Sequence, residues 1–376
     1  MAVTLDERVP ASKRSKSRHL PVTAGAIDCD IHPGFARPDE IMPFLATRWH
    51  EYVRTFGGLY RQALADTLSH PRMSPDVARA DAWPPNGTPP GADLAFLKEQ
   101  LLDNYGFAYG MLMPLNRGPG NQRNLDYGAA LATAVNDWQI AKWVEPEPRL
   151  RASIVVTHED PQAAVAEIER RAADPRFAQI MLPPRALEPI GRRRYWPIFE
   201  AAVAAGRPIA MHVGGINGWP NTPGGYHSYY IEEQHNNVQG MQGVVTSLAI
   251  EGVLDRYPDL RFVLVEGGLA WLPSLKWRLD KHWQRLKVEA PHLKRLPSEA
   301  IREAIYLTTQ PLDEPPRDSD LAETFELIGA DRIMFSTDYP HWDFDEPSFV
   351  LSKLKLPRES LQLIFSGNAR RLYRLA

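Results

Sequence analysis

Short apolar runs recur along the chain, and each is followed by a polar loop. Most runs are continuous rather than alternating in polarity, which is typical of parallel strands that helices cover. Helical patterns separate several of them, and repeated alternation of strand and helix predicts a (β/α)8 TIM barrel. The eight runs are residues 26–31, 107–113, 152–156, 180–182, 208–213, 261–265, 305–307 and 332–335.

Helix boundaries can be predicted at several of the intervening segments. Asp160-Pro161 predicts an N-cap and first turn for a helix that ends at Arg171. Trp196-Pro197 opens a second helix, which Gly206 stops. Residues 369–375 fit the end of a last helix. These helices are the expected outer layer of the barrel.

Two connections are too long for simple strand-to-helix loops. One runs from His32 to about Gln100, and the other from Gly214 to about Gln242. Both contain aromatic residues and follow strand ends on the face where barrel enzymes keep their sites, so we expect insertions after strands 1 and 5 that wall or cover a pocket. The predicted organisation is a mobile N-terminal arm over residues 1–25 and a barrel over 26–376, with an insertion at about 33–100.

Composition excludes several classes of function. The 376 residues hold 43 Lys plus Arg against 46 Asp plus Glu, a net charge of −3, which disfavours nucleic-acid binding by a general positive field. The single cysteine, Cys29, excludes an intrachain disulfide and a cysteine-rich zinc site. No long apolar run predicts a membrane span, and no apolar segment follows the basic start as in a secretory signal. We therefore expect a cytoplasmic protein.

Polar and ionisable residues stand where the apolar runs end. Asp30 and His32 are two apart on the first strand and share a face. His212 ends the fifth run, Glu266 follows the sixth, and Asp338 follows the eighth. In a barrel these ends meet at one mouth, where Asp30, His32, His212 and Asp338 can hold a divalent cation with an open position for water. An Asp–His hydrogen-bond network is the alternative.

These motifs resemble the amidohydrolase-related family, in the branch that includes aminocarboxymuconate semialdehyde decarboxylase and the resorcylate-type decarboxylases. The resemblance covers the chain from about residue 26 to its end, and it implies a metal-bearing (β/α)8 barrel with zinc or manganese, often dimeric. The motifs are Asp28-Cys29-Asp30-Ile31-His32, Met211-His212-Val213-Gly214-Gly215, Val265-Glu266-Gly267-Gly268, Ser336-Thr337-Asp338-Tyr339-Pro340-His341 and Gly367-Asn368-Ala369-Arg370-Arg371-Leu372-Tyr373.

The resemblance implies roles for individual residues. The first-strand ligand pair falls on Asp30 and His32, the fifth-strand histidine on His212, and the last-strand aspartate, which in the family touches metal and assists proton transfer, on Asp338. Many members have two histidines in the first-strand pair, and Asp30 shifts the site toward oxygen-preferring metals such as Mn²⁺.

One position departs from the family pattern. Decarboxylases of this branch have a histidine in proton transfer after strand six, where this chain has Glu266. Glu266 either donates a proton through a raised pKa, joins the metal as a fifth ligand, or holds a substrate amine. His341 either replaces the missing histidine or orients its loop.

Aromatic residues of the loops are candidates for substrate contact. Trp219, Tyr229, His235 and Trp342 are the predicted substrate-binding residues, for a ring-bearing small molecule, and ordinary loop packing is the alternative.

The leading functional prediction is a metal-dependent hydrolase. A metal-activated water would attack a small, cyclic or aromatic amide, ester or lactone-like compound, with Asp338 passing the proton to the leaving group, and Glu266 and His341 as further catalytic candidates. The alternative is a non-oxidative decarboxylase on the same site, and a second alternative is a non-catalytic ligand-binding barrel. The expected partners are a small-molecule substrate and a second copy in a homodimer.

Overall fold

Eight parallel strands form the barrel in the part of the chain that the structure describes. The computed structural model describes residues 23–56, 77–115, 118–184, 186–214, 225 and 228–376. Their sheet has the order β1 to β8 along the chain. The strands are β1 (Ile27–Ile31), β2 (Tyr109–Leu112), β3 (Leu150–Val155), β4 (Phe177–Leu182), β5 (Ile209–His212), β6 (Phe262–Val265), β7 (Ile305–Thr308) and β8 (Ile333–Met334).

Each predicted apolar run overlaps one of these strands, so the predicted (β/α)8 TIM barrel is confirmed. The barrel closes between β1 and the residues that follow the short strand β8. The amide of Cys29 donates to the carbonyl of Phe335 at 3.0 Å, and the amide of His32 donates to the carbonyl of Tyr339 at 2.8 Å. Nearly every strand residue is buried, because helices cover the outer face while side chains fill the interior. This double burial explains the continuous apolar runs.

Helices surround the barrel where the sequence predicts them. The Asp160 side chain caps α4 by accepting from the amide of Ala163 at 3.1 Å. Gly206 ends α5 with a φ of 61°. The helices are α1 (Arg48–Phe56), α2 (Leu94–Leu97), α3 (Leu125–Gln139), α4 (Pro161–Arg171), α5 (Trp196–Ala205), α6 (Tyr230–Ile250), α7 (Val253–Arg256), α8 (Trp271–Arg285), α9 (Pro297–Ala304), α10 (Asp318–Ile328), α11 (Pro347–Lys353), α12 (Arg358–Gln362) and α13 (Asn368–Tyr373).

The end of the first insertion packs on the barrel mouth. Ala78 forms an antiparallel bridge with His341, and the amide of Trp342 donates to the carbonyl of Val77 at 2.9 Å. Gly91 has a φ of +73°, and a Cβ there would lie 2.4 Å from the carbonyl oxygen of His32. Only glycine permits this approach, so the insertion is fitted to the backbone beside a predicted metal ligand.

The second long connection is shorter than predicted. Helix α6 begins at Tyr230, well before the expected end of the loop near Gln242. The Glu232 carboxylate accepts from the amides of Ser228 at 2.6 Å and Tyr229 at 2.8 Å, which stabilises this early helix start. Residues 1–22, most of the predicted N-terminal arm, lie outside the described residues.

Among the described residues, no helix combines the length and the apolar character that a bilayer span requires.

Candidate active site

The predicted donor residues converge at the carboxyl ends of the strands. Asp30 and His32 come from the end of β1, His212 from the end of β5, Glu266 from the residue after β6, and Asp338 from the loop after β8. One ligand atom from each of the five lies within 4.8 Å of the others. Asp30 and Asp338 are fully buried. We call these five residues the donor cluster.

Both histidines of the donor cluster are oriented by backbone carbonyls. The Nδ1 of His32 lies 2.8 Å from the Met113 carbonyl oxygen, and the Nδ1 of His212 lies 2.8 Å from that of Val213. A carbonyl only accepts, so each Nδ1 carries a proton, and in the neutral form each ring would present the lone pair of its Nε2 to the cluster. Metal-binding histidines are held in this way.

Carboxylate oxygens lie where these lone pairs point. The Nε2 of His32 lies 2.7 Å from an Asp338 oxygen and 3.2 Å from an Asp30 oxygen. The Nε2 of His212 lies 2.9 Å from a Glu266 oxygen. If the rings were neutral and the acids ionised, each of these contacts would bring two hydrogen-bond acceptors together, an Nε2 lone pair and a carboxylate oxygen. Either added protons or a shared cation must lie between them.

Asp30 supplies the observation that tests a metal here. Both of its carboxylate oxygens are buried, and neither makes a contact with hydrogen-bond geometry, and the same holds for the Nε2 of His212 despite its 2.9 Å distance from Glu266. Buried polar atoms without partners are costly. Two imidazoles and three carboxylates aimed at one point therefore fit a divalent cation.

Two members of the donor cluster have an uncommon backbone conformation. Glu266 has a φ of 59° and Asp338 a φ of 63°. Non-glycine residues in this region are strained, and the surrounding structure must hold them. The hydroxyl of Thr308 accepts from the Glu266 amide at 3.1 Å. The Asp28 carboxylate accepts from the amide of Thr337 at 3.0 Å, which fixes the residue before Asp338.

Asp338 is the hub of a hydrogen-bond network. One of its oxygens lies 2.7 Å from His32 Nε2 and 2.6 Å from His341 Nδ1. The other accepts from Gln310 Nε2 at 3.2 Å. Burial first, and then the negative charge of Glu266 and its neighbours, raises the pKa of the Asp338 carboxyl well above its usual range.

The histidines of the mouth differ in electrostatics. Burial opposes protonation of His212, but the carboxylates of Asp30 and Glu266 outweigh it and raise its pKa. Burial first, and then the nearby rings of His32 and His212, lower the pKa of His341. His341 is therefore held neutral next to a carboxyl that favours its protonated form.

The structure describes three of the four predicted substrate residues. The Nε1 of Trp342 donates to the Tyr230 hydroxyl at 3.1 Å, and the indole is 41% exposed. Tyr229 is 71% exposed, and His235 is exposed on α6. Trp219 lies outside the described residues. Substrate contact by these four residues stays a prediction.

Sequence reasoning missed the residues that support the donor cluster. Gln310 bridges Asp338 and Asp343, with its Nε2 3.0 Å from an Asp343 oxygen. Thr308 holds the Glu266 backbone. Both belong to the polar stretch Thr308-Thr309-Gln310 at the end of β7, so the rule that identified the other strand ends also applied there.

Comparison with known proteins adds evidence on the reaction. The chain is 28% identical over 297 residues to a gamma-resorcylate decarboxylase of Polaromonas sp. (strain JS666 / ATCC BAA-500), a match that covers 75% of this chain and 88% of the relative. The crystal structure of a 5-carboxyvanillate decarboxylase from Sphingomonas paucimobilis matches with a TM-score of 0.67 at 20% identity, over 93% of this chain and 99% of that one.

A second solved structure has a bound metal. It is a dihydroxybenzoic acid decarboxylase from Polaromonas sp. JS666 with manganese and the inhibitor 2-nitroresorcinol, which matches with a TM-score of 0.65 at 22% identity, over 94% of this chain and 97% of that one. At these identities the two structural matches establish the fold. The support for a divalent metal site in this chain is its own donor cluster.

These findings correct the leading functional prediction. The predicted hydrolase acting through a metal-activated water is wrong, because the curated relatives are decarboxylases. The sequence predicted an enzyme that is either a hydrolase or a carboxy-lyase, and the carboxy-lyase alternative is confirmed. The family model described as Amidohydrolase matches residues 27–375, so this chain belongs to the amidohydrolase family.

Proposed function

We propose that this protein is a metal-dependent, non-oxidative decarboxylase of a hydroxylated aromatic carboxylic acid. The names of its relatives, which act on gamma-resorcylate, support this substrate class. The observation that carries the proposal is the buried donor cluster, in which the Asp30 oxygens and the Nε2 of His212 face one point without contacts of hydrogen-bond geometry.

The reaction needs only a proton from the protein. The bond between the ring carbon and the carboxylate breaks, its electron pair stays on the ring carbon, and this carbon takes up a proton as CO2 leaves. Neither water nor a redox partner is consumed. The protein must therefore orient the carboxylate, stabilise the developing negative charge and deliver one proton to carbon.

The donor cluster accounts for the orientation and the charge. When bound, a divalent cation supplies a Lewis acid that holds oxygen atoms of the substrate and stabilises negative charge beside the reacting carbon. We propose Asp30, His32, His212 and Asp338 as its ligands. The carboxylate of Asp30, in place of a second histidine in the first-strand pair, shifts this set of two oxygen and two nitrogen donors toward Mn²⁺.

Glu266 fits best as a fifth ligand. Its carboxylate lies 2.9 Å from the Nε2 of His212, and its side chain is only 10% exposed. Its backbone is held by Thr308 in a left-handed conformation that aims the side chain into the cluster. Of the three roles that the sequence left open for Glu266, we therefore favour that of a metal ligand. The proton must then come from another group.

Asp338 and His341 are the proposed source of that proton. A proton held between the Asp338 oxygen and His341 Nδ1, 2.6 Å apart, is within reach of both groups. Gln310 fixes the other Asp338 oxygen, so the carboxyl cannot turn away. Trp342, hydrogen-bonded to Tyr230, would form an aromatic wall for the substrate ring beside this pair.

Isotope labelling tests the reaction. Metal-loaded protein is incubated with 2,6-dihydroxybenzoate in D2O, and the product is analysed by NMR with parallel measurement of CO2. We expect deuterium at the carbon that lost the carboxylate, and equal amounts of CO2 and product. Asp338→Asn should reduce kcat by about 10²-fold or more. Asp259→Asn, an exposed carboxyl away from the mouth, is the matched control.

Two outcomes would contradict the proposal. One is a lack of CO2 release by metal-loaded protein from both dihydroxybenzoates and 5-carboxyvanillate. The other is full turnover by the Asp338→Asn variant with an unchanged metal content. The predicted homodimer belongs to the same proposal, and light scattering on the purified protein tests it.

A further inference from the structure

A second cavity lies at the opposite end of the barrel from the donor cluster. Its volume is about 590 Å³. Its walls come from the segments that precede β5, β6 and β8, and from the C-terminal helix α13. Because the donor cluster lies at the carboxyl ends of the same strands, about 15 Å separates the two sites at a rise of about 3.3 Å per residue.

The lining of this cavity is strongly basic. Five of its lining residues are arginines, and Asp259 is the one acidic residue among them. The whole chain, by contrast, has a net charge of −3. The five arginines are Arg207, Arg261, Arg332, Arg371 and Arg374. We call this site the arginine cavity.

Most of these guanidinium groups have no carboxylate within ion-pair distance in the described part of the chain. Arg332 lies 3.3 Å from an Asp331 oxygen. Within the described part of the chain, the other four arginines of the cavity have no carboxylate within the 4.0 Å of an ion pair. Burial first, and then the charge of Arg374, lower the pKa of Arg207, and together they outweigh the opposite effect of the Asp174 carboxylate.

Neutral groups nevertheless hold the arginines in place. Arg207 donates to the Asp174 carbonyl at 3.0 Å, and Arg261 to the Pro258 carbonyl at 2.6 Å. Arg371 donates to the side-chain oxygen of Asn368 at 2.8 Å. These contacts fix the geometry without neutralising the charge. The Nε–H of Arg207 is buried and has no acceptor at all.

Ordinary structural roles explain only part of this arrangement. Arg374 packs against Gly206, the residue that ends α5, where the partial negative charge of a helix C-terminus favours a cation. No such terminus accounts for Arg261, which precedes a strand. A set of arginines held in position and left unneutralised is the usual arrangement for binding phosphate, which accepts paired N–H bonds.

We propose that the arginine cavity binds a small molecule carrying a diphosphate group. Its volume is in the range of small-molecule sites, and several arginines can contact two linked phosphates at once. Tyr306 and Leu372 provide an apolar wall for an organic group attached to them. This site is separate from the donor cluster and does not depend on the reaction assigned to it.

Calorimetry with inorganic pyrophosphate tests the proposal. Titrations use metal-loaded, full-length protein, with ionic strength matched by sodium chloride. We expect binding with a micromolar Kd, about tenfold or more tighter than orthophosphate, because two linked phosphates engage more arginines. The same titration with adenosine diphosphate shows whether an organic group is accepted.

Variants locate the binding site. Arg371 and Arg374 are exposed, so the double variant Arg371→Gln/Arg374→Gln should fold normally and weaken pyrophosphate binding about tenfold or more. Arg358→Gln removes an exposed arginine outside the cavity and should leave the Kd unchanged. Equal binding by the double variant would overturn the proposal, since pyrophosphate would then bind elsewhere, for example at the metal. So would the same weak Kd for orthophosphate and pyrophosphate.

Discussion

The imidazole of His341 stacks on that of His32, with ring centroids 4.4 Å apart and planes inclined by 26°. The same His341 ring contacts Asp338 through its Nδ1. One side chain therefore supports a predicted metal ligand by packing and contacts the proposed acid by hydrogen bonding. The two roles left open by the sequence, proton transfer and orientation of the loop, can be separated because they use different parts of the ring.

Replacing His341 by phenylalanine keeps the stacked ring and removes the Nδ1. If His341 takes part in proton transfer, His341→Phe lowers kcat by about 10²-fold or more, while metal content by mass spectrometry is unchanged. His341→Gln, which keeps a hydrogen-bonding group but loses the ring, is the complementary variant. Full activity of His341→Phe would assign the residue to orientation alone.

Gln310 is expected to tune the acidity of Asp338. Its amide donates to one Asp338 oxygen at 3.2 Å, and a hydrogen bond to a carboxylate stabilises the ionised form. Gln310→Leu should therefore raise the pKa of Asp338 further and move a limb of the pH–rate profile to higher pH, with a loss of about tenfold in kcat. Gln362→Leu on α12 is the control, because that side chain is exposed. An unchanged profile would remove Gln310 from the network.

The packing of Gly91 against His32 gives a prediction for stability. In Gly91→Ala, strain at positive φ combines with a Cβ 2.4 Å from the His32 carbonyl oxygen, so we expect a loss of about 2–3 kcal/mol in unfolding free energy and weaker metal retention. Gly87→Ala is the matched control. It has a φ of +80° but no atom within 4 Å of the added Cβ, so only the strain of about 1 kcal/mol applies. Equal losses in both variants would contradict the clash.

Glu147 gives a pH dependence of stability away from the active site. Its carboxylate accepts from Arg149 at 2.9 and 2.8 Å and is paired with Lys98 at 3.1 Å. The Arg149 hydrogen bonds, together outweighing burial, lower the pKa of Glu147 from 4.5 to about 2. Because the folded-state pKa lies below the unfolded one, the stabilisation is complete above the unfolded pKa and is lost as pH falls toward about 2.

Urea unfolding of Glu147→Gln checks this sign. We expect the variant to be less stable by about 2 kcal/mol near neutral pH, and the difference to shrink in acid. Glu145→Gln is the control, because Glu145 is 59% exposed and its pair with Arg176 contributes little. A difference for Glu147→Gln that persists unchanged at low pH would contradict the assignment.

Much of this site could be predicted because barrel strands impose a simple rule. Asp30, His32, His212 and Asp338 each follow an apolar run, and parallel strands bring such ends together. The stacking of His341 and the bridge from Gln310 could not be predicted in this way, since both depend on side-chain orientations set by loops after β7 and β8. The early start of α6 depends on the local cap from Glu232, which hydrophobic pattern alone does not reveal.

The type of reaction was the least predictable property. A cluster of Asp30, His212 and their neighbours fits hydrolysis and decarboxylation equally well as a list of residue types. The choice depends on the substrate and on which group holds a proton, and the same fold supports both. Glu266 in place of a histidine is compatible with both hydrolysis and decarboxylation, and the similarity to decarboxylases is what distinguishes the two reactions.

The contact between His32 and Asp338 joins residues 306 positions apart, from the first strand and from the loop after the last. No partial chain lacking either terminus of the barrel can assemble both groups. The donor cluster is therefore complete only when the ring of strands has closed. A chain still being synthesised lacks this cluster until the loop after β8 has left the ribosome and packed against β1.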